Sequence, residues 1–150
     1  MSQIEDAEIR SGWNYALKVL SRRALFCEQL REKLEKRFLS QEAIDAIIAK
    51  VKHYGFVNDG ELLRASVTSA FTKGRGPKRV LYDLMRKSKL PKEVIEKEIN
   101  EQMPFEMCVE QAKKLIKRYT FPEHKKRAFA FLLRRGFSFD VIQKVLNFDD

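Results

Sequence analysis

Apolar side chains along the chain recur every three to four residues, which is the period of an α-helix. Four of them fall at i, i+3, i+4 and i+7 and so share one helix face: Ile44, Ile47, Ile48 and Val51. No segment keeps the sustained alternation of apolar and polar residues that is typical of a half-buried strand. The pattern predicts an all-α chain of about nine short helices.

The predicted helices recur in groups of three. Ser40, Pro91 and Ser138 each begin a helix at its N-cap or first turn, and an isoleucine follows four residues after each one. These isoleucines are 51 and then 47 residues apart, which indicates a repeat of about 45–50 residues. The predicted repeats are 10–58, 59–103 and 105–150. Because so small a unit buries little surface alone, we expect a tandem array of three three-helix, helix-turn-helix-like repeats, elongated and curved.

Positive charge is concentrated in the last two thirds of the chain. The whole sequence has 30 Lys and Arg against 21 Asp and Glu, a net charge of +9. Residues 1–59 are nearly balanced, with ten basic and nine acidic residues, whereas residues 60–104 and 105–150 each have ten and six. Such an excess favours binding to a polyanion or to an acidic protein surface.

The segment "KGRGPKRV", residues 73–80, raises the question of a phosphate-binding loop. A Walker loop needs G-x-x-x-x-G-K-[ST] after a strand, and a dinucleotide loop needs a third glycine; neither condition is met. We interpret the segment as a turn between helices at 58–72 and 77–88. In that turn Gly74 and Gly76 permit a positive φ and Pro77 takes the first helical position.

The charges around this turn have nearly one sign. Residues 73–89 hold seven basic residues and one acidic residue, and residues 113–135 hold nine and one. A single-sign surface costs self-repulsion, so it favours an acidic or polyanionic partner, although a solvated basic surface is the alternative.

Three motifs follow one another along the chain: "GFVND" at 55–59, the K-G-x-G turn at 73–76 followed by Arg79 and Val80, and "FLLRRGFS" at 131–138 followed by Ile142. In this order they resemble the RecX family of bacterial regulators of the RecA recombinase. The resemblance covers about residues 13–148. One departure is Phe26-Cys27, where family members often place a serine N-cap, so we expect a shifted or weaker helix start there.

The resemblance implies a function that composition alone does not. RecX-like proteins lie in the helical groove of the RecA–single-stranded-DNA filament and mainly inhibit its ATPase, strand exchange and coprotease activities, hence recombination, DNA repair and the SOS response. The expected partners are therefore the RecA filament and single-stranded DNA, with double-stranded DNA as a further partner. We assign the contact to eleven basic residues: Lys73, Arg75, Lys78, Arg79, Lys117, Arg118, Lys125, Lys126, Arg127, Arg134 and Arg135.

Two other classes of function are the alternatives, of which an independent DNA-binding protein stays open and an enzyme is not expected. Short helix pairs are also typical of an independent DNA-binding or transcriptional regulator, although the basic segments contain almost no Asn or Gln for reading bases. For an enzyme, the two histidines, His53 and His124, form no metal-binding pair and no nucleophile motif is present. We expect no cofactor and no metal.

The remaining features favour a cytoplasmic monomer without a membrane segment. Cys27 and Cys108 are far apart and lie among apolar neighbours, so we expect free, packed thiols in a reducing compartment. The N-terminus lacks the apolar stretch of a signal peptide. Among the phenylalanines near the C-terminus, Phe139 is the one expected to be exposed, because Ser138 and Asp140 flank it.

Overall fold

The computed structural model describes residues 3–119 and 123–146, and within these ranges all of the regular secondary structure is α-helical. The nine helices there are α1 (Gln3–Arg22), α2 (Cys27–Glu35), α3 (Gln41–His53), α4 (Asp59–Thr72), α5 (Pro77–Ser88), α6 (Lys92–Gln102), α7 (Phe105–Leu115), α8 (Lys125–Arg135) and α9 (Phe139–Leu146). The predicted all-α class is confirmed. Among the described helices, none is both long enough and apolar enough to cross a membrane.

The chain divides into two compact units. The first unit is Met1–Leu62 with Lys87–Lys89, and the second is Leu63–Arg86 with Leu90–Asp150. The three repeat boundaries, the elongation and the curvature stay predictions. The last residues of the predicted third repeat, 147–150, lie outside the described residues, as do residues 120–122 of the basic segment 113–135.

The core of the first unit is built by α1, α2 and α3, which pack against one another. The predicted apolar face of α3 is buried, together with Ala16 from α1 and Leu30 and Leu34 from α2. Gly12 is buried where α1 meets α3: a Cβ at this position would lie 2.4 Å from Ile47 Cδ1. The absence of a side chain on Gly12 therefore allows α1 to approach α3 closely.

Two helix starts in the first unit are capped in different ways. The Ser40 side chain accepts a hydrogen bond from the Ala43 amide at 3.2 Å, which confirms the predicted N-cap of α3. At the departure from the family pattern, α2 begins at Cys27 without a side-chain cap from Phe26. The Cys27 amide instead donates to Asp59 Oδ1 at 2.9 Å, so a carboxylate from a distant part of the chain caps this helix.

In the second unit, α9 packs on both α7 and α8. Phe137 and Ile142 are fully buried there, and the Ser138 hydroxyl accepts a hydrogen bond from the Val141 amide at 3.3 Å, as expected for the start of α9. Phe139 is 60% exposed, as predicted. The helix after Pro91 begins one residue later than the proline, at Lys92, because Pro91 occupies the N-cap.

Helix α4 is tied to its neighbours in the second unit by polar contacts. The Gln102 side-chain Nε2 donates to the Arg64 carbonyl at 2.9 Å, and the Arg64 side chain lies 3.4 Å from Glu98. The Gln111 side-chain Nε2 donates to the Phe71 carbonyl at 3.0 Å, which links α7 to the end of α4. The turn after α4 thereby starts from a fixed helix end.

Candidate interaction surface

The turn at residues 73–77 packs directly on the C-terminal end of α8. The Gly76 amide donates to the Arg135 carbonyl at 2.6 Å, and the Lys78 amide donates to the Gly136 carbonyl at 3.0 Å. The last carbonyls of a helix have no partner within the helix. The turn and the first residues of α5 thus supply donors for two carbonyls at the end of α8, so the turn joins the end of α4 to the end of α8.

The glycines of this turn serve two different purposes. Gly74 has a φ of +84°, which confirms the predicted use of a left-handed conformation. The same prediction for Gly76 is wrong, because Gly76 does not have a positive φ. A Cβ on Gly76 would lie 2.5 Å from the backbone carbon of Gly136, so glycine is needed there for close approach of two backbones. Both glycines are explained by packing rather than by phosphate binding.

Arg135 has a structural role as well as a charge. Its Nε donates to the Gly74 carbonyl at 3.0 Å, and its Nη2 donates to the Lys73 carbonyl. The residue is half-buried, whereas the adjacent Arg134 is exposed. Of these two predicted site residues, Arg135 holds the turn in place and Arg134 presents its charge to solvent.

Two of the predicted basic residues lie close to the aromatic ring of Phe131. The Arg118 guanidinium lies 5.0 Å from the ring centroid and the Arg135 guanidinium 5.8 Å from it. Tyr119 adds a second ring, with its centroid 5.9 Å from that of Phe131. A guanidinium within about 6 Å of an aromatic face is attracted to it, so the two like charges are held close together despite their repulsion.

The basic residues of the turn and α5 point mainly to solvent. Lys73, Lys78 and Arg79 are exposed and Arg75 is half-buried. Arg79 Nε lies 3.5 Å from Asp83, one helical turn further on. An exposed pair of this kind contributes little to stability, and it reduces the net charge that Arg79 offers a partner. Lys73 and Lys78 are therefore the more available cations of this group.

Five predicted residues are not brought against the turn. Lys117 is exposed after α7, and Lys126, Arg127 and Arg134 are exposed on α8, where Lys125 is half-buried at the first position. Lys125 and Arg135 are ten residues apart on one helix, which corresponds to about 15 Å along its axis. Arg127 shares the face of Phe131, four residues before it. The basic surface therefore runs along α8 as well as around the turn.

Phe131 was not predicted as part of the site, because phenylalanines in helical repeats are usually core residues. The sequence does contain a signal for it. Arg127, Phe131 and Arg135 are spaced at i, i+4 and i+8, so an aromatic ring stands between two cations on one helix face. That spacing favours arginine–aromatic contact.

The described residues offer little of what an enzyme site needs. They contain no group of three or more His, Cys, Asp or Glu side chains that could hold a metal ion. Burial raises the pKa of the Cys108 thiol, and burial followed by the Asp59 charge raises the pKa of Cys27. Both thiols are thus kept protonated, which disfavours the thiolate that nucleophilic chemistry requires. Cys108 is buried as expected, whereas Cys27 is only partly buried.

Known proteins similar to this chain point to one family. Residues 101–146 match the model described as RecX, third three-helix domain. A regulatory protein RecX of Caldanaerobacter subterraneus subsp. tengcongensis is 30% identical over 93% of this chain and 71% of its own length. The regulatory protein RecX of Thermus thermophilus is 35% identical over 85% of this chain and 84% of its own. The chain belongs to the RecX family.

A solved structure agrees with the fold of this RecX-family chain. The crystal structure of RecX from Lactobacillus salivarius matches 95% of this chain and 96% of its own, with a TM-score of 0.83 and 23% identity. Relatives in Bacillus are longer, and the chain spans only 55–57% of two of them. The relatives are named regulatory proteins.

Proposed function

We propose that this chain binds the RecA–single-stranded-DNA filament in its helical groove and inhibits RecA ATP hydrolysis, strand exchange and coprotease activity. Membership of a family of proteins named regulatory protein RecX is the observation that carries the proposal. In this role the chain acts as a cytoplasmic monomer, without a cofactor, and regulates recombination, DNA repair and the SOS response rather than catalysing a reaction.

The surface of the second unit supports binding to an anionic assembly. The turn at 73–77 is fixed to α8 by backbone hydrogen bonds and by Arg135, so its cations are displayed from a rigid frame. Lys73 and Lys78 are exposed on that frame. Cations held in place lose less entropy when they meet phosphates or carboxylates than cations on a mobile loop. Phosphate contacts also release counterions, so binding should weaken steeply with salt.

The test is RecA ATP hydrolysis on single-stranded DNA with this chain titrated in. The variant Lys73→Glu/Lys78→Glu changes two exposed positions and leaves the half-buried Arg75 intact. A matched control is Lys92→Glu/Lys97→Glu, which makes the same change in net charge at two exposed positions of α6. We expect wild type and control to inhibit well below one copy per RecA subunit, and the turn variant to need far more protein.

Either of two results would refute parts of the proposal. Equal loss of inhibition in the turn variant and the control would show that overall charge, rather than the turn, makes the contact. No inhibition by wild type at any ratio, with DNA binding intact, would favour an independent DNA-binding protein of the helix-turn-helix type.

A further inference from the structure

The first unit contains a cationic groove that is not apparent from the unit's nearly balanced net charge. A groove of about 720 Å³ lies between α1 and the region of α2, and it is lined by Lys18, Arg22, Arg23, Lys33 and Arg37. No carboxylate contributes to its lining. Among the described residues, none of these five cations forms an ion pair. Acidic residues of the first unit, such as Glu28 and Asp45, face Arg31 instead.

The spacing of these residues explains how the groove arises. Lys18 and Arg22 are four residues apart on α1, and Lys33 and Arg37 are four residues apart at the end of α2 and the turn after it. On α1 this spacing puts Lys18 and Arg22 on one helix face, where like charges repel each other. Because α1 and α2 pack together, this pair is brought to one groove with Lys33 and Arg37. Such an arrangement is stabilised when an anion with several charges binds.

The Tyr15 ring holds the Arg37 guanidinium in the groove. The Arg37 guanidinium lies over the Tyr15 ring at 4.2 Å from its centroid, and Tyr15 itself lines the groove. Stacking of this kind restricts the guanidinium to one plane and leaves its N–H groups available at the edge. A planar guanidinium presented edge-on can donate two parallel hydrogen bonds to a phosphate.

We propose that this groove binds consecutive phosphates of a single-stranded nucleic acid. A protein surface supplies carboxylates one at a time among cations, whereas a nucleic-acid strand supplies a row of charges of one sign. A lining with five cations and no carboxylate is complementary to the second pattern. The inference rests on the proposed function and deepens it, because it adds a nucleic-acid contact in the part of the chain with the smallest net charge.

The test uses the full chain and a fluorescently labelled single-stranded oligonucleotide, with no recombinase present. Anisotropy titrations at several salt concentrations compare wild type with Lys18→Glu/Arg22→Glu, two exposed positions of the groove. Loss of two phosphate contacts should lower the salt slope, d log K/d log[salt], by about 1.4 in magnitude. At about 0.1 M salt, we expect affinity to fall at least about tenfold. If the charge reversal impairs folding, the neutral variant Lys18→Gln/Arg22→Gln takes its place. It removes the same two phosphate contacts and should reduce the salt slope by the same amount.

A matched control separates the groove from general charge. Arg10→Glu/Lys52→Glu makes the same change in net charge at exposed positions of the first unit that do not line the groove. We expect less than about a threefold loss, since neither residue lines the groove and exposed charges away from the contact are partly screened by salt. Equal losses in control and groove variants would overturn the inference.

Two further outcomes would also overturn the inference, and one of them would leave the proposed function intact. Tighter binding of wild type to a labelled oligoglutamate than to the oligonucleotide would assign the groove to an acidic protein surface. If wild type fails to bind the oligonucleotide but inhibits RecA normally, the proposed nucleic-acid site is contradicted and the proposed regulation of RecA is retained.

Discussion

Gly76→Ala tests the contact between the turn at 73–77 and α8, and it does so without changing any charge. Because Gly76 does not have a positive φ, an alanine has no intrinsic conflict with the local backbone. The conflict comes from across the contact. The new Cβ would lie 2.5 Å from the Gly136 carbon and 2.6 Å from its oxygen. Ordinary contact between carbon atoms needs about 3.5–4.0 Å, so the two backbones must separate by about 1 Å.

The cost of that separation follows from the bonds it stretches. The Gly76 amide bond to the Arg135 carbonyl and the Lys78 amide bond to the Gly136 carbonyl would both be weakened or lost. Each contributes about 1 kcal/mol, and forced overpacking adds about 1–3 kcal/mol. Alanine also lowers the conformational entropy of the unfolded chain, which stabilises the folded state by about 0.4–1 kcal/mol. We therefore expect a net loss of about 3 kcal/mol, or about 6–12 °C in Tm.

The assay is urea unfolding at 25 °C followed by far-ultraviolet circular dichroism, with thermal unfolding as a second measurement. Gly60→Ala is the matched control, because Gly60 lies within α4 and its nearest neighbour to a new Cβ is Asn58 Oδ1 at an ordinary 3.6 Å. That variant should be stabilised by about 0.4–1 kcal/mol. If Gly76→Ala unfolds within about 1 kcal/mol of wild type, the backbone contact with Gly136 is not as close as the structure places it.

Three further predictions concern the half-buried Arg135 guanidinium, the Ser40 cap of α3 and the Cys27 thiol. Arg135→Ala should lose about 2–3 kcal/mol of unfolding free energy, because two carbonyls lose a charged donor; Arg134→Ala should change it by less than about 0.5 kcal/mol, and equal effects would contradict the assignment. Ser40→Ala should cost about 1 kcal/mol in urea unfolding through loss of the α3 cap. The pKa of the Cys27 thiol is raised in the folded state. The protonated thiol therefore contributes its full stability at a pH below the pKa that the thiol has in the unfolded chain. This contribution is lost as the pH rises through the thiol's pKa in the folded chain. Asp59→Asn should lower that pKa and speed labelling by iodoacetamide at about pH 8, and unchanged labelling would argue against a charge effect of Asp59.

Local features of the fold could be predicted because their causes are local. The 3.6-residue period, the serine cap of α3 and the identity of "KGRGPKRV" as a turn before Pro77 all depend on neighbouring residues. The reason for Gly76 could not be predicted. Its contact, Gly136, is 60 residues further along the chain, and only the packed second unit shows that two backbones meet there.

The charged surfaces were predictable only where charge is uneven along the sequence. The basic segments at 73–89 and 113–135 are visible as runs of one sign. In the first unit, the ten basic and nine acidic residues of 1–59 nearly cancel, so the net charge does not reveal the groove, although residues 9–27 hold four basic residues and no acidic one. The groove appears only when packing of α1 on α2 places Lys18, Arg22, Lys33 and Arg37 on one side.

The carboxylate that caps α2 has a consequence for how the chain is made. Asp59 is 32 residues beyond Cys27 and is itself the first residue of α4. During synthesis, the ribosome must therefore add the opening of the fourth helix before the second helix has its cap. A fragment cut at the predicted repeat boundary after residue 58 would carry α1, α2 and α3 and still lack this hydrogen bond. Expression of the predicted first repeat alone should therefore extend past Asp59.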